Sequence, residues 1–270
     1  KLDISSFAGN VSNAKVRFLW SGDDDYYWAI DNIKVYAPLT LDAAIDEISA
    51  PVMPFSAGNK NIEVTLSNGG ANALTSATIG WSVNGVAQTP YNWSGSLTIG
   101  QALSNIDIGT YNFVSGVVSG FKVWVEQPNG ASDLNNQNDT ATTNLTASLC
   151  GSYTIGGSSP DFTNFTEAAT VLNNAGQTCP VVFNVRDGVY EEQISLQHIP
   201  GNSTINTITF QGESGDSSQV TLQYSTDNNI LDYTVNMENI SGLTFQDMGI
   251  KRTSNYNCIK ITGGDSITIK

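Results

Sequence analysis

Charge is scarce in this 270-residue chain: Asp, Glu, Lys and Arg together make up 13% of it, and only 11 positions are Lys or Arg. Against them stand 25 Asp and Glu, for a formal net charge of -14. No Lys/Arg cluster supplies the positive footprint that a phosphate backbone requires, so nucleic acid is excluded as a partner. Histidine occurs once, at His198. That rules out a histidine pair on a metal, and no Gly-x-Ser-x-Gly elbow is present to make a Ser/His nucleophile. His198 follows a strand pattern and reads as a solvent-exposed turn residue. No apolar run approaches a membrane span, so no membrane insertion is expected, and the chain opens on Lys1-Leu-Asp-Ile4 rather than on a signal-peptide core. The expectation is a soluble chain, already processed or excised.

Cysteine is also sparse, and its number is odd: Cys150, Cys179 and Cys258. Cys150 and Cys179 bracket a helix pattern, where a disulfide would tie the strand before it to the strand after it in an oxidising compartment. Alternation in Asn257-Cys-Ile-Lys-Ile261 makes Cys258 a small buried hydrophobe, free and inert. What the chain does hold is 25 Gly and abundant Asn, Ser and Thr. Its solubility rests on neutral polar side chains, as in secreted β-proteins. The excess carboxylates could recruit divalent cations or simply coat a solvated surface. The length suggests about two domains, or three if they are small β units.

Residues 1–37 read as strands at Leu2 to Phe7, Lys15 to Trp20 and Tyr26 to Tyr36, too few to bury a core alone. Trp28 and Ile30 have the opposite parity to Ile33 and Val35, so a bulge near Asp31-Asn32 would turn both pairs inward. The aromatic-x-Ile-Asp-Asn-Ile run resembles the closing strand of jelly-roll modules of the MAM and cleaved-adhesin type. Residues 38–148 carry strand patterns at Ile62 to Leu66, Thr78 to Val83, Tyr111 to Val114 and Phe121 to Gln127. Asn68-Gly-Gly, Asn84-Gly and Asn129-Gly supply turns, which fits an Ig-like β-sandwich. Asn59 to Gly70, Trp81-Ser-Val-Asn-Gly85, Trp93-Ser-Gly-Ser-Leu97 and the stretch Asp133 to Asp139 resemble CARDB-type spacers of bacterial surface proteins.

In residues 149–270 the helix pattern runs from Phe165 to Asn174, with Phe165, Ala168, Ala169 and Leu172 on one face. Asn164 and Glu167 open it and Gly176 closes it. Short alternating segments follow at Thr207 to Phe210, Val220 to Tyr224, Tyr233 to Met237, Leu243 to Phe245, Cys258 to Ile261 and Ile267 to Ile269, as in stacked coils. Leu243 and Ile267 fall at equivalent places in successive coils. Thr154 to Phe162, the helix, Phe183 to Tyr190 and Asn206 to Gly212 resemble the first turns of pectin-lyase-like right-handed parallel β-helices in very large bacterial surface proteins. The fold class expected is therefore all-β: a jelly-roll remnant, an Ig-like sandwich, and the capped first coils of a parallel β-helix with one short capping helix, both ends being cut.

Candidate sites are few. Asp23, Asp24 and Asp25 cluster in a turn and Asp31 lies at the inferred bulge. Ca2+ could be held by Asp23, Asp25 and Asp31, as the jelly-roll resemblance implies, or the turn is a solvated acidic one. Asp133 to Asp139 reads as an Asx-turn hairpin before the last sandwich strand. Tyr26, Tyr27, Tyr91 and Trp93 are candidate glycan contacts, with burial in strand cores as the competing reading. Asp139-Thr-Ala and Asp265-Ser-Ile match the short O-glycosylation pattern of bacteria that export such modules by the type IX route, which implies Thr140 and Ser266 as acceptors. Glu191 and Glu192 are adjacent, so they point to opposite faces of a strand and cannot form a facing acid/base pair. Lys251 and Arg252 are similar to the basic residues of β-helix lyases, but they lack the surrounding Asp residues.

A β-helix serves adhesins, spikes and polysaccharide-cleaving enzymes alike, so the fold does not choose among them. The leading expectation is a non-enzymatic secreted or cell-surface adhesin or structural stalk, with a glycan or matrix ligand and neighbouring domains of the same longer chain as partners. The alternatives are the leading portion of a β-helix polysaccharide lyase or glycoside hydrolase with its active site beyond residue 270, and a fibre subunit assembled by strand addition.

Overall fold

The computed structural model describes residues 39–225, 233–253 and 257–270. The jelly-roll reading of residues 1–37, with Asp23, Asp25, Asp31, Tyr26 and Tyr27, lies outside the described residues.

Eight strands build the sandwich: β1 (Ala43–Ala50), β2 (Gly58–Asn68), β3 (Leu74–Val83), β4 (Val86–Ala87), β5 (Tyr91–Leu97), β6 (Ala102–Phe113), β7 (Val118–Glu126) and β8 (Thr140–Thr146). One sheet runs β1-β2-β6 and the other β4-β3-β7-β8, with β5 also pairing β3; every pairing is antiparallel. Alternation explains the layering, because a strand with one wet face buries every second side chain. Along β7, Phe121, Val123 and Val125 go inward while Lys122, Trp124 and Glu126 face out. Ile62, Val64 and Leu66 of β2 answer from the opposite sheet, all fully buried. Phe113 and Phe121 stack across the interior at 5.6 Å, and the Tyr111 ring meets Phe121 edge-on at 5.4 Å.

From residue 149 the pairing changes from antiparallel to parallel. After β9 (Leu149–Ile155) and helix α1 (Phe165–Ala175), the chain winds through a coil of β10 (Gln177–Val185), β11 (Gly188–Glu191) and β12 (Ile194–Gln197). A second coil follows with β13 (Ile208–Gly212), β14 (Val220–Tyr224) and β15 (Val235–Ser241). The third is β16 (Leu243–Gln246), β17 (Gly249–Arg252) and β18 (Ile259–Asp265), and β19 (Thr268–Ile269) starts the next. Three parallel sheets result: β9-β10-β13-β16-β19, β11-β14-β17 and β12-β15-β18. This is a parallel β-helix. Its strands are too short to bury anything alone, so each coil depends on the next. Phe183, Phe210, Phe245 and Ile269 form one column in register. Ile194-Val235-Ile259 and Leu196-Met237-Ile261 form two more.

Helix α1 packs against the first coil. Asn164 Oδ1 accepts from the Glu167 N–H at 2.8 Å, and Glu167 Oε2 takes the Thr163 N–H rather than closing back on Asn164. Phe165, Ala168, Ala169, Leu172 and Ala175 are buried, and the Gly176 N–H bonds Leu172 O where the helix stops. Cys150 and Cys179 form a disulfide joining β9 to β10. Cys258 is free but exposed, contrary to the sequence expectation. The alternation there belongs to Ile259 and Ile261, which align with Val235 and Met237, so Cys258 shares the outward parity of Lys260.

The sandwich and the β-helix meet without a linker. Ala147 sits in the sandwich core, Leu149 in the β-helix core, and Ser148 between them; all three are 0% exposed. Each polar group of Ser148 is occupied: its N–H bonds Phe55 O, its hydroxyl donates to Ala175 O at 2.6 Å, and its carbonyl accepts from Ser115 Oγ. Ser115 Oγ also lies 2.8 Å from the Tyr153 hydroxyl. Gly116 lets the β6–β7 turn approach: a Cβ there would stand 3.0 Å from Leu149 Cδ2, at a φ of +74°.

Candidate functional site

The outward face of β7 carries a surface feature that several strands and one loop build together. β7 lies between β3 and β8, placing Trp124 opposite Gly80 on one side and Thr140 on the other. Because Gly80 has no side chain, the indole lies over the bare backbone; a Cβ at Gly80 would be 2.5 Å from the indole Cε2. Trp124 Nε1 donates to Glu126 Oε1 at 2.5 Å, which fixes the ring in the plane of the sheet. The Lys122 ammonium stands 5.8 Å from the ring centroid, a cation held against the indole's electron-rich face.

An open cleft of about 500 Å³ adjoins this ring, and Asp133, Asn136, Asp139 and Thr140 contribute its far wall. The loop forming that wall is tied down from within. Asp133 Oδ1 accepts the Asn135 N–H, the expected Asx turn, and its Oδ2 accepts the Ala43 N–H at 2.7 Å. Asp42 Oδ1 accepts from Asn138 Nδ2 at 2.8 Å. Asp139 is pushed up to about 6 by burial first, then by the neighbouring Asp133 and Asp42 carboxylates. Its Oδ1 is buried without a hydrogen-bond partner, as is Asn138 Oδ1. A carboxylic acid that keeps its proton suits such a pocket better than a carboxylate does. Among the described residues no group of three or more His, Cys, Asp or Glu side chains is arranged to hold a metal ion. The Asp42 and Asp133 oxygens already serve N–H donors. A flat aromatic ring edged by acceptors and amides can receive a ligand with an apolar face and a polar edge.

The sequence-predicted residues scatter around this site. Trp93 is corrected: it is 5% exposed, because its register opposite Ala77 turns the indole into the sandwich core, where no ligand reaches it. Tyr91, two residues earlier, is 37% exposed. Thr140 is exposed and lines the cleft, whereas Ser266 is exposed on the β-helix with its hydroxyl on Asp265 Oδ1. Trp124 was not among the predicted contacts. The signal for it lay in the strand parity, since Phe121, Val123 and Val125 leave Trp124 outside.

On the β-helix, His198 is exposed. The Glu191 carboxylate is held below its ordinary range by hydrogen bonds from Ser225 and Gln223. Glu192 turns the other way and takes the Phe165 N–H, the Thr166 N–H and the Thr166 hydroxyl at the start of α1. Arg252 stacks 5.2 Å from the Tyr224 ring and donates to Tyr233 O, and Lys251 is exposed. An amide ladder, Asn184-Gln211-Gln246, runs up the outer face at 2.8 and 3.0 Å. The residue after each column phenylalanine supplies it, a regularity visible in the sequence.

No family model and no curated protein matches the chain. Solved structures do. The CARDB domain of a Pyrococcus furiosus protein, crystallised in complex with di-metal ions, is 20% identical, covers 44% of this chain and 99% of its own, and has a TM-score of 0.32. A domain of a Methanosarcina acetivorans cell-surface protein is 19% identical over 41% of this chain and 94% of its own, at a TM-score of 0.34. A family 28 exopolygalacturonase from Yersinia enterocolitica is 10% identical over 77% of this chain and 42% of its own, at 0.20. These are likenesses of fold alone.

Proposed function

We propose that the chain is a non-catalytic secreted or cell-surface module, a stiff stalk or adhesin segment that attaches to glycan or matrix and works beside neighbouring domains of a longer protein. The observation that supports this reading best is the fully enclosed Ala147-Ser148-Leu149 joint. A peptide sealed between two cores transmits orientation, whereas Gly/Ser or Pro-rich linkers decouple or merely space their domains. The Cys150–Cys179 disulfide suits an oxidising exterior. Among the described residues no helix is long and apolar enough to cross a membrane. The test incubates the intact protein with neutral and uronate polysaccharides and with glycan- and matrix-coated surfaces. Retention on a coated surface without oligosaccharide release is expected. Appearance of new reducing or unsaturated ends would overturn the reading in favour of a β-helix hydrolase or lyase.

A further inference from the structure

Three features of the β7 face converge on one kind of ligand. Trp124 offers a ring that the glycine beneath it holds parallel to the sheet and that its own N–H, bonded to Glu126, keeps from rotating. Ring faces of this kind attract the C–H dipoles of a sugar and, more strongly, cations. The ring already demonstrates the second preference, because the Lys122 ammonium rests 5.8 Å from its centroid. Around the same cleft stand Glu126 and Asp133, two carboxylates against the one ammonium of Lys122, with Asn136 as a neutral donor and acceptor and Asp139, whose burial favours its neutral form, behind them. The volume, about 500 Å³, lies within the ~300–1,000 Å³ of small-ligand sites.

We propose that this cleft binds a pyranose carrying a free amino group, of the glucosamine type, as one residue of a glycan. The apolar face of the sugar ring stacks on Trp124. Its ammonium pairs with Glu126 at the edge of the indole, while Lys122, exposed on its long stem, swings off the ring face to water. Hydroxyls at the ring edge reach Asn136 and the Asp133–Asp139 wall. The acidic rim repels uronates and sialates, which share the ring but carry the wrong charge. This deepens the surface-module reading by naming the glycan and the site. The two fail separately: a stiff, non-catalytic stalk with an empty cleft leaves that reading standing.

The test follows the tryptophan indole N–H resonances of the full chain, assigned by Trp124→Phe, while a trimer of glucosamine is added; cellotriose and a galacturonic acid trimer serve as comparisons. The Trp124 resonance is expected to move with the glucosamine trimer, with weaker binding to cellotriose and none to the galacturonate. Trp124→Ala should lose about tenfold in affinity, equivalent to about 1.4 kcal/mol. Glu126→Gln and added salt should each weaken binding about threefold while the fold, checked by circular dichroism, is retained. A still Trp124 resonance at about 10 mM trimer overturns the proposal. So does unchanged affinity in Glu126→Gln, or a response to galacturonate equal to that for the amino sugar.

Discussion

Replacing Phe210 by alanine strikes the β-helix at the middle of its aromatic column. The ring is 0% exposed and stacks on Phe183 at 4.7 Å and Phe245 at 5.1 Å, with the Phe165 ring of the capping helix at 5.6 Å. Truncating a buried phenylalanine costs about 3–5 kcal/mol. Each favourable ring pair contributes ~0.5–1.5 kcal/mol beyond its buried area. Three partners on one ring place Phe210→Ala at the top of that range, about 5 kcal/mol. A domain has only about 5–15 kcal/mol in total, so the variant's β-helix should stand near the edge of folding. The assay separates the two units. The five tryptophans, at positions 20, 28, 81, 93 and 124, all precede the β-helix. Their fluorescence therefore follows unfolding outside the β-helix, while far-UV circular dichroism sums both units. In urea the variant's dichroism should fall well before its fluorescence, and Phe210→Leu should show a smaller separation. A loss below about 1.5 kcal/mol would mean that the ring is not enclosed by successive coils, and the column would have to be abandoned.

Asp139 carries a pH signature whose sign follows from its raised pKa. The fold retains the proton up to about 6, whereas the unfolded chain releases it near 3.8, so stability falls as pH climbs between those values. Discounted for partial solvation, the loss is about 1–2 kcal/mol. Asp139→Asn should flatten the slope and melt higher at neutral pH, and an identical slope in the variant refutes the assignment. Reducing the Cys150–Cys179 disulfide, whose partners are 29 residues apart, should cost about 3–4 kcal/mol. An unchanged denaturation midpoint in reductant contradicts this. Glu192→Ala removes three accepted hydrogen bonds from the start of α1 and should cost about 2 kcal/mol. It should also speed amide exchange at Phe165 and Thr166; unaltered exchange there would show that the carboxylate does not cap the helix.

Local pattern carried the sequence reading as far as local physics reaches. The apolar face of α1, the cysteines bracketing it and the match of Leu243 with Ile267 are all set by spacing within short stretches. The structure bears out the last as the β16–β19 pairing of Thr244 with Thr268. Register between strands is different, since it depends on partners far along the chain. Trp93 looked as available as Tyr91 until its pairing with Ala77 turned it inward. Trp124 acquired its flat seat only because Gly80, 44 positions earlier, falls directly opposite it. Cys258 was misplaced by a single residue of parity, enough to carry a side chain from the core to the surface. Strand alternation is enough to point Glu192 away from Glu191. That it reaches the helix start needed the closure of the coil, which no local pattern reports.

The stiffness of the joint is the claim on which the functional account turns, and a distance between the two units measures it directly. Val86 on the sandwich and Val189 on the β-helix are 65% and 66% exposed, so both tolerate a cysteine carrying a spin label once Cys258 is changed to serine. Electron–electron resonance between the two labels should give one narrow distance population, unchanged by viscosity or salt. A broad distribution would contradict the account, showing that Ser148 is a hinge rather than a seal.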